Sequence, residues 1–183
     1  MRTYPYTIDN GAGERLTFSG CLQEPDGDRI VGEALVEPGA GPPMHVHYRQ
    51  EEAFTVVQGR LGYQVAGQAP AFAESGGTVV FPAGVAHRFW NAGEDQLHCT
   101  AYIKPAGNTE FFLTALFESQ RQNGGRRPAL LDVAYLTRRY RSEYAMVEIP
   151  PIVQRLVIPL LYLVGWGLGR YRKYSNAPEP LTP

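Results

Sequence analysis

The chain has 183 residues, 44% of them apolar, and its 17 basic and 18 acidic side chains give a net charge of −1. This length and apolar content allow a substantial core and fit one globular domain with an appendage. Two cysteines, Cys21 and Cys99, exclude a framework held together by disulfides. Residues 1–10 lack the apolar stretch of a secretory signal, so we expect a cytoplasmic protein.

The first part of the chain predicts short strands. Residues 2–8 form a predicted edge strand that contains Pro5. Residues 14–19 alternate apolar and polar side chains, which is typical of a half-buried strand. A Pro-Asp-Gly turn leads into a third strand at residues 29–36. A loop rich in glycine and proline, at residues 38–43, then leads to the first histidine.

Three candidate ligands follow this loop. His45 and His47 are two residues apart, and side chains at that spacing on a strand point to the same face. Glu52 begins the next apolar run, and a hairpin can bring it opposite the two histidines. Its neighbour Glu51 could take the same place. The spacing therefore predicts two imidazoles and one carboxylate at a single point.

Further strands are predicted between residues 53 and 104, separated by turns with no helix among them. They are residues 53–57, 61–65, 78–81, 85–90 and 96–104. Counted with the earlier segments, about ten short strands indicate an all-β fold of the barrel type.

The strand at residues 85–90 supplies a third imidazole. A Pro-x-Gly turn introduces it and delivers His87. His98 is expected to be an ordinary strand residue. The spacing to Gly59 favours Glu52 over Glu51, so the predicted metal ligands are His45, His47, Glu52 and His87. This ligand set suits one divalent transition metal, namely Fe, Mn, Ni, Cu, Co or Zn.

Two motifs contain these residues, G-x5-H-x-H-x4-E-x6-G from Gly39 to Gly59 and G-x5-P-x-G-x2-H-x3-N from Gly76 to Asn91. They resemble the two signature motifs of the cupin family at every fixed position. The resemblance covers roughly residues 1–105. It implies an antiparallel jelly-roll barrel in which three histidines and a glutamate converge on a metal. It also implies a homodimer that pairs through the N-terminal strand.

The lining of the barrel follows from strand parity. If Glu52 and His87 point inward, their neighbours two residues away on each strand also point inward, and an apolar set faces them. The predicted substrate pocket is therefore Phe54, Val56, Tyr63 and Phe89. Such a pocket offers few cations, apart from Arg49 at its mouth, which disfavours a sugar-phosphate substrate.

After residue 105 the pattern becomes helical. Three helices are predicted, at residues 108–122, 128–140 and 150–174. A kink is expected in the third, at Pro159. We therefore assign residues 1–105 to the barrel and residues 106–183 to a C-terminal helical extension with a loose tail.

The extension differs from the barrel in charge and in one apolar stretch. Residues 1–120 carry a net charge of −7 and residues 121–183 carry +6. Such asymmetry hints at contact with nucleic acid, a membrane or an acidic partner. Residues 156–169 carry no charge over about 21 Å of helix, which is short for a membrane span.

Two roles remain open for the apolar helix at residues 152–171. We expect it to pack on the barrel or on a partner subunit. The alternative is peripheral membrane contact through residues 150–174, because Trp166 stands near Arg170 and two further cations, as in an aromatic belt with basic anchors.

The ligand set and the apolar lining favour a metal-dependent enzyme that acts on a small, oxygen-chelating molecule. Similarity to the cupin dioxygenases makes a dioxygenase-type oxidoreductase our leading hypothesis. Glu52 is the candidate catalytic residue, because a carboxylate can loosen from the metal and accept a proton. A non-catalytic binding module is the alternative, and an isomerase is the third candidate. Nucleic acid is not an expected partner, since no helix-turn-helix precedes the barrel.

Overall fold

The computed structural model of the chain describes residues 3–181. Within them lie eleven strands: β1 Tyr6–Asp9, β2 Glu14–Leu22, β3 Arg29–Val36, β4 His45–His47, β5 Glu51–Gln58, β6 Leu61–Val65, β7 Ala71–Ala73, β8 Thr78–Phe81, β9 His87–Asn91, β10 Leu97–Lys104 and β11 Tyr144–Met146. Three of them, β3, β6 and β8, have the predicted limits. Residue 2 of the predicted first strand and residues 182–183 of the predicted tail lie outside the described residues.

The strands form two antiparallel sheets. The six-stranded sheet has the order β1-β2-β3-β10-β5-β8, and the five-stranded sheet has the order β11-β4-β9-β6-β7. The first strand is an edge strand, as the proline near it predicts. Strands β4 and β9 lie in one sheet and β5 in the other, so the candidate ligands come from both sheets.

The main core lies between the two sheets. Ten buried side chains from six strands form it: Ala34, Val36, Phe54, Val56, Leu61, Val79, Phe81, Phe89, Leu97 and Cys99. They occupy alternate positions along their strands, so each sheet presents one apolar face to the other. Burial of each large side chain stabilises the fold by roughly 1.5–3 kcal/mol.

Three α-helices follow the last strand of the six-stranded sheet: α1 Thr109–Gln122, α2 Leu130–Arg139 and α3 Ile158–Gly167. The predicted extension of three helices is therefore confirmed, and the chain as a whole is mixed and rich in strands rather than all-β. Within the part of the chain that the structure describes, no helix is both long enough and apolar enough to cross a membrane.

The predicted third helix is divided into three pieces. A π-helical turn at Val153–Val157 precedes α3, and a 3-10 turn at Arg170–Tyr174 follows it. Pro159 is one of the first two residues of α3 and has no N–H to donate, so the regular pattern is interrupted there. Gly169, with a φ of 68°, ends the helical path before the 3-10 turn.

Two short strands are absent from the predictions, β7 and β11. Each has only three residues, which is too few for alternation to be recognised. The second belongs to the helical extension and adds an edge to the five-stranded sheet. There Tyr144 pairs with His47, and Met146 pairs with His45.

One buried carboxylate fastens the extension. The side chain of Glu143 is fully buried and accepts hydrogen bonds from the backbone N and the Nδ2 of Asn108, at 3.2 and 2.7 Å. It also accepts one from the backbone N of Leu181, at 3.0 Å. A fourth donor is Nε2 of Gln50, just before β5, at 3.4 Å. Because these donors lie before α1, near the C-terminus and in the strand region, Glu143 holds the extension together beside β4.

Candidate metal centre

The four predicted ligands lie on three strands that meet. His45 and His47 lie on β4, Glu52 on β5 and His87 on β9, and His45 is directly opposite His87 in the ladder. Since alternate residues of a strand face the same side, both histidines of β4 point toward Glu52. One ligand atom from each of the four side chains lies within 4.8 Å of the other three.

The carboxylate of Glu52 is the centre of this cluster. Its Oε2 atom lies 2.8 Å from Nε2 of His87, 3.8 Å from Nε2 of His45 and 3.9 Å from Nε2 of His47. The three imidazoles thus direct the same type of nitrogen at one oxygen. This is the arrangement that a cation between them requires.

Backbone carbonyls orient two of the imidazoles. Nδ1 of His45 lies 2.9 Å from the carbonyl oxygen of Pro43, and Nδ1 of His87 lies 2.8 Å from that of Val85. Donation from Nδ1 leaves the lone pair of Nε2 directed at the cluster, as a metal ligand needs. Both ring nitrogens of His87 face oxygen acceptors. A cation between Nε2 and the Glu52 carboxylate, either a proton or a metal ion, therefore satisfies both groups.

The charges of the cluster depend on one another. Burial alone would raise the pKa of Glu52, but the three neighbouring imidazoles outweigh burial and hold that pKa well below its usual range. Burial lowers the pKa of His47 to about 4, so this ring is neutral near neutral pH. An ionised carboxylate and a neutral imidazole are the forms that bind metals.

An aromatic ring packs against His87. The ring of Phe81 stacks on His87 with 3.9 Å between ring centroids and 5° between planes, and His87 is only 1% exposed. Nδ1 of His47 is buried and has no hydrogen-bond partner within residues 3–181. The donor set, its burial and its orientation therefore fit one transition metal ion held by His45, His47, Glu52 and His87.

The cluster opens onto an apolar cavity of about 170 Å³. The six-stranded sheet contributes one wall, which includes Leu16, Phe18, Ile30, Phe54 and Ile103. The helical extension contributes another, which includes Thr109, Phe112, Leu113, Phe117, Tyr144 and Met146. No arginine or lysine is among the described residues that line the cavity. The site thus excludes cationic side chains, in agreement with the parity argument.

The structure separates the four predicted pocket residues into two pairs. Phe54 and Phe89 line the cavity beside His45, His47 and Glu52. Val56 belongs to the buried core between the sheets, and Tyr63 packs against that core. The reason is that the cavity extends from the metal ligands toward α1, whereas Val56 and Tyr63 point into the region where the two sheets pack on each other.

Three other polar residues considered from the sequence lie away from the cluster. Glu51 points to the opposite side of β5 from Glu52 and accepts a hydrogen bond from the Tyr102 hydroxyl, at 2.6 Å. His98 is at the surface, with Nε2 3.1 Å from a carboxylate oxygen of Glu33. Arg49 donates from Nε to the carbonyl oxygen of Ser142, at 3.3 Å, and does not line the cavity.

Sequence reasoning missed a second carboxylate in the cavity, Glu14. Its Oε2 accepts a hydrogen bond of 2.7 Å from Nδ2 of Asn10, which is fully buried. The Oδ1 of Asn10 in turn accepts from the backbone N of Glu14, at 3.1 Å. Burial raises the pKa of Glu14 to about 7, although Asn10 and the nearby His45 both lower it. No spacing in the sequence links Glu14 to the two motifs.

The contribution of the extension was also missed. The Tyr144 ring lies edge-on to His47, with 5.2 Å between ring centroids, and its hydroxyl lies 2.9 Å from the Thr109 hydroxyl. Phe112 packs against Tyr144 with 4.5 Å between centroids. The aromatic residues of the extension are visible in the sequence. Their place beside the ligands is not, because it depends on the pairing of β11 with β4, which positions Tyr144, and on the packing of Phe112 against Tyr144.

Two antiparallel sheets, three C-terminal helices and an inward His/Glu cluster define a cupin fold with a possible metal site. The family described as Cupin domain matches residues 32–103. Residues 32–103, about two-fifths of the chain, are thus a cupin domain.

Two relatives carry oxidoreductase names. The chain is 34% identical over 95 residues to "Probable oxidoreductase virH" of Hypocrea virens, a match that covers 47% of this chain and 43% of that protein. It is 33% identical over 121 residues to "Oxidoreductase iacF" of Pestalotiopsis fici, which covers 61% and 57%. The chain thus spans about half the length of the curated relatives it matches.

One of the similar solved structures is that of KdgF from Halomonas sp. It has 20% sequence identity and a TM-score of 0.47, and the match covers 57% of this chain and 92% of that one.

Proposed function

We propose that this cupin is a metal-dependent oxidoreductase of the dioxygenase type, acting on a small apolar or aromatic molecule that chelates through oxygen. The observation that supports this most strongly is that four inward ligands open onto an apolar cavity whose described lining residues include no arginine or lysine. The oxidoreductase names of the two relatives agree with the reaction class. Because the matches cover only part of those proteins, the activity is a proposal for this chain.

His45, His47, Glu52 and His87 would hold the metal, whose identity among Fe, Mn, Ni, Cu, Co and Zn the ligand set leaves open. When bound, such an ion supplies Lewis acidity toward a chelating oxygen and, for Fe, Cu or Ni, a route for electrons to dioxygen. The imidazoles of His45 and His87 would stay fixed by their carbonyl partners throughout.

Glu52 is the residue proposed to accept the substrate proton. A carboxylate can change its coordination where an imidazole cannot, and its Oε2 atom lies at the centre of the cluster. Glu14 is a second carboxyl in the same cavity, and its raised pKa suits proton exchange near neutral pH. The two carboxyls differ in environment, since Glu52 is surrounded by imidazoles and Glu14 is held by an amide.

The apolar walls would bind the substrate and exclude water. Phe54, Phe89 and Phe112 offer flat surfaces for an aromatic or apolar body. The few polar groups, chiefly the ligand cluster and Glu14, would orient its oxygens. A sugar phosphate would find no cationic side chain among the lining residues at positions 3–181.

We also propose that the two sheets form the jelly-roll barrel of the family. Without β1, β2 and β11, the two sheets have the orders β3-β10-β5-β8 and β4-β9-β6-β7. Except for β6 and β7, strands that follow each other in the chain lie in different sheets, as in the two Greek keys of a jelly roll. The barrel would then end near residue 105, where the helical extension begins.

Metal analysis followed by oxygen uptake tests the function. The purified full chain would be loaded with Fe, Cu or Ni in turn and supplied with flavonols, catechols, diketones and thiols. We expect oxygen consumption with at least one flavonol, catechol or diketone, and its loss in Glu52→Gln, which keeps the side-chain length but removes the charge.

No turnover with any panel member by metal-loaded protein would contradict the enzyme proposal and favour a non-catalytic binding module. His98→Ala serves as the control for general effects of histidine loss, because His98 is a surface residue paired with Glu33. That variant should retain full oxygen uptake.

A further inference from the structure

Helix α3 buries one face and exposes the other. Ile158 and Gly165 are buried, and a side chain at Gly165 would collide with the Tyr171 ring. The opposite side of α3 and the turn before it bear exposed apolar side chains. The most exposed are Trp166 at 71%, Leu168 at 68%, Leu156 at 65%, Leu160 at 62% and Leu163 at 61%.

This exposed set, with Ile152 at 66%, is called the α3 apolar face below. Single exposed apolar residues are ordinary, but six large ones within 17 consecutive residues are not. Because α3 already packs on the extension through its other side, the apolar face is not needed for the internal packing of the chain. Such a face indicates an external partner.

Charge at the two ends of the face identifies the kind of partner. Residues 149–178 contain Arg155, Arg170, Arg172 and Lys173, and no acidic residue. Within the described part of the chain, Lys173 forms a salt bridge with Asp132, at 2.7 Å, whereas none involves Arg155, Arg170 or Arg172. These three exposed arginines flank an uncharged stretch, which complements a surface that is apolar inside and anionic at its rim.

A second copy of the chain fits this face less well. A two-fold contact places the same surface on both sides, so the arginines at the ends of one α3 would approach those of the other. The segment offers no carboxylate to neutralise them. A soluble partner with an apolar centre and an acidic rim lacks this repulsion, but a bilayer with acidic headgroups provides the same pattern over any area.

The geometry of α3 also fits a shallow membrane contact. Its ten residues span about 15 Å, which is half the thickness of a bilayer core. Interfacial helices usually have a polar face toward water. Here the extension covers the corresponding face of α3, so only the apolar face remains free. Trp166, the most exposed of its residues, belongs to the type that prefers the headgroup region.

We propose that the α3 apolar face, with Arg155, Arg170 and Arg172, docks the protein on the surface of an anionic lipid bilayer. Contact through this face buries leucine and tryptophan side chains at the level of the headgroups. The arginines pair with lipid phosphates or carboxylates. The cavity and its ligand cluster take no part in the contact.

Sedimentation with vesicles tests the proposal on the full chain. We expect the protein to sediment with vesicles of phosphatidylcholine and phosphatidylserine and to remain largely in solution with phosphatidylcholine alone. Salt on the order of 0.5 M should reduce the bound fraction, because it screens the arginines. Leu160→Glu combined with Leu163→Glu should weaken binding more than about tenfold, since two exposed leucines that would enter the bilayer are replaced by charges that lipid phosphates repel.

The matched control is Leu22→Glu combined with Val80→Glu, which adds the same charge at exposed apolar positions on the strands. It should bind vesicles nearly as the unaltered chain does. Near-equal circular dichroism and metal content of both variants would show that they are folded.

Three results would overturn the proposal. One is no sedimentation of the unaltered chain with either vesicle. Another is equal binding by both double variants. The third is a dimer, by light scattering without lipid, that only Leu160→Glu with Leu163→Glu dissociates, which would assign the face to a second copy.

Discussion

The two ends of the cavity are built by different means. At the ligand end, short β-strands hold four polar side chains, and backbone carbonyls fix the imidazole rings of His45 and His87. At the other end, helix α1 forms an aromatic wall that includes Phe112 and Phe117, and Tyr144 of strand β11 joins this wall to the ligand end, edge-on to His47. The ligand end is ordered by hydrogen bonds, and the wall is ordered by packing of apolar surface.

The difference indicates which end tolerates change. A β-ladder fixes the backbone positions of the ligands whatever the wall does, whereas the wall depends on how the whole extension docks. A single buried carboxylate, Glu143, joins the docking points. We infer that residues of the wall can change, as adaptation to another substrate would require, while the ligand end stays constant. The following variants test whether the two ends are independent.

The largest effect on stability is expected from Glu143→Ala. Removal of this carboxylate leaves the backbone N–H groups of Asn108 and Leu181 without their acceptor in a buried place, at a cost of about 3–5 kcal/mol in the free energy of unfolding. Urea unfolding measures it, with the exposed Glu148→Ala as the control. An effect below about 1 kcal/mol would mean that Glu143 does not fasten the extension.

The next variant acts on the ligand end. His45→Ala removes one of four donors, so metal affinity should fall more than about 100-fold, because even loss of a group that only supports a ligand costs 10–100-fold. Metal content after dialysis against a competing chelator measures this fall. Full metal content in this variant, equal to that of His98→Ala, would remove His45 from the ligand set.

Glu14→Gln tests the carboxyl that Asn10 holds in the cavity lining. The pKa of Glu14 is about 7 in the folded chain and about 4.5 when exposed, so the folded state holds the proton more tightly. Its contribution to stability is therefore lost as pH rises from about 4.5 to 7, and the loss is complete above that range. The variant lacks this loss.

We expect metal-free Glu14→Gln to be about 1–3 kcal/mol more stable than the unaltered chain at about pH 8, and similar to it at about pH 4.5. Urea unfolding at both values of pH measures the difference. If the variant and the unaltered chain differed in stability by the same amount at both values of pH, Glu14 would not be a buried carboxyl.

The smallest effect is expected from Tyr144→Phe. The hydroxyl of Tyr144 lies 2.9 Å from that of Thr109 and accepts a 3.3 Å hydrogen bond from Nε2 of Gln50. Its loss should cost about 1 kcal/mol of stability with no change in metal content. Tyr48→Phe, at an exposed position, is the control. A fall in metal content would show that the two ends are not independent.

The same contrast explains what could be predicted from the sequence. The ligand end could be predicted because two-residue spacing on one strand and fixed offsets along the next are local properties of the chain. His45, His47, Glu52 and His87 are consequently brought together as expected. The limits of β3, β6 and β8 could be predicted from local patterns over four or more residues.

The wall could not be predicted, because it depends on contacts between distant segments. Strand β11 has three residues and is recognisable only through its pairing with β4, about a hundred positions earlier. Glu14 enters the cavity because the buried Asn10 holds it there, and no motif spacing records that bond. The apolar stretch around α3 was visible, but which of its faces is covered depends on the docking of the helices.

A crystal structure of the metal-loaded protein with anomalous scattering tests the central claim most directly. We predict one anomalous peak bonded to the Nε2 atoms of His45, His47 and His87 and to the carboxylate of Glu52, with open coordination positions facing Phe54 and Phe112. A peak elsewhere, or a metal-loaded sample in which His87 and Glu52 remain directly hydrogen-bonded, would contradict it.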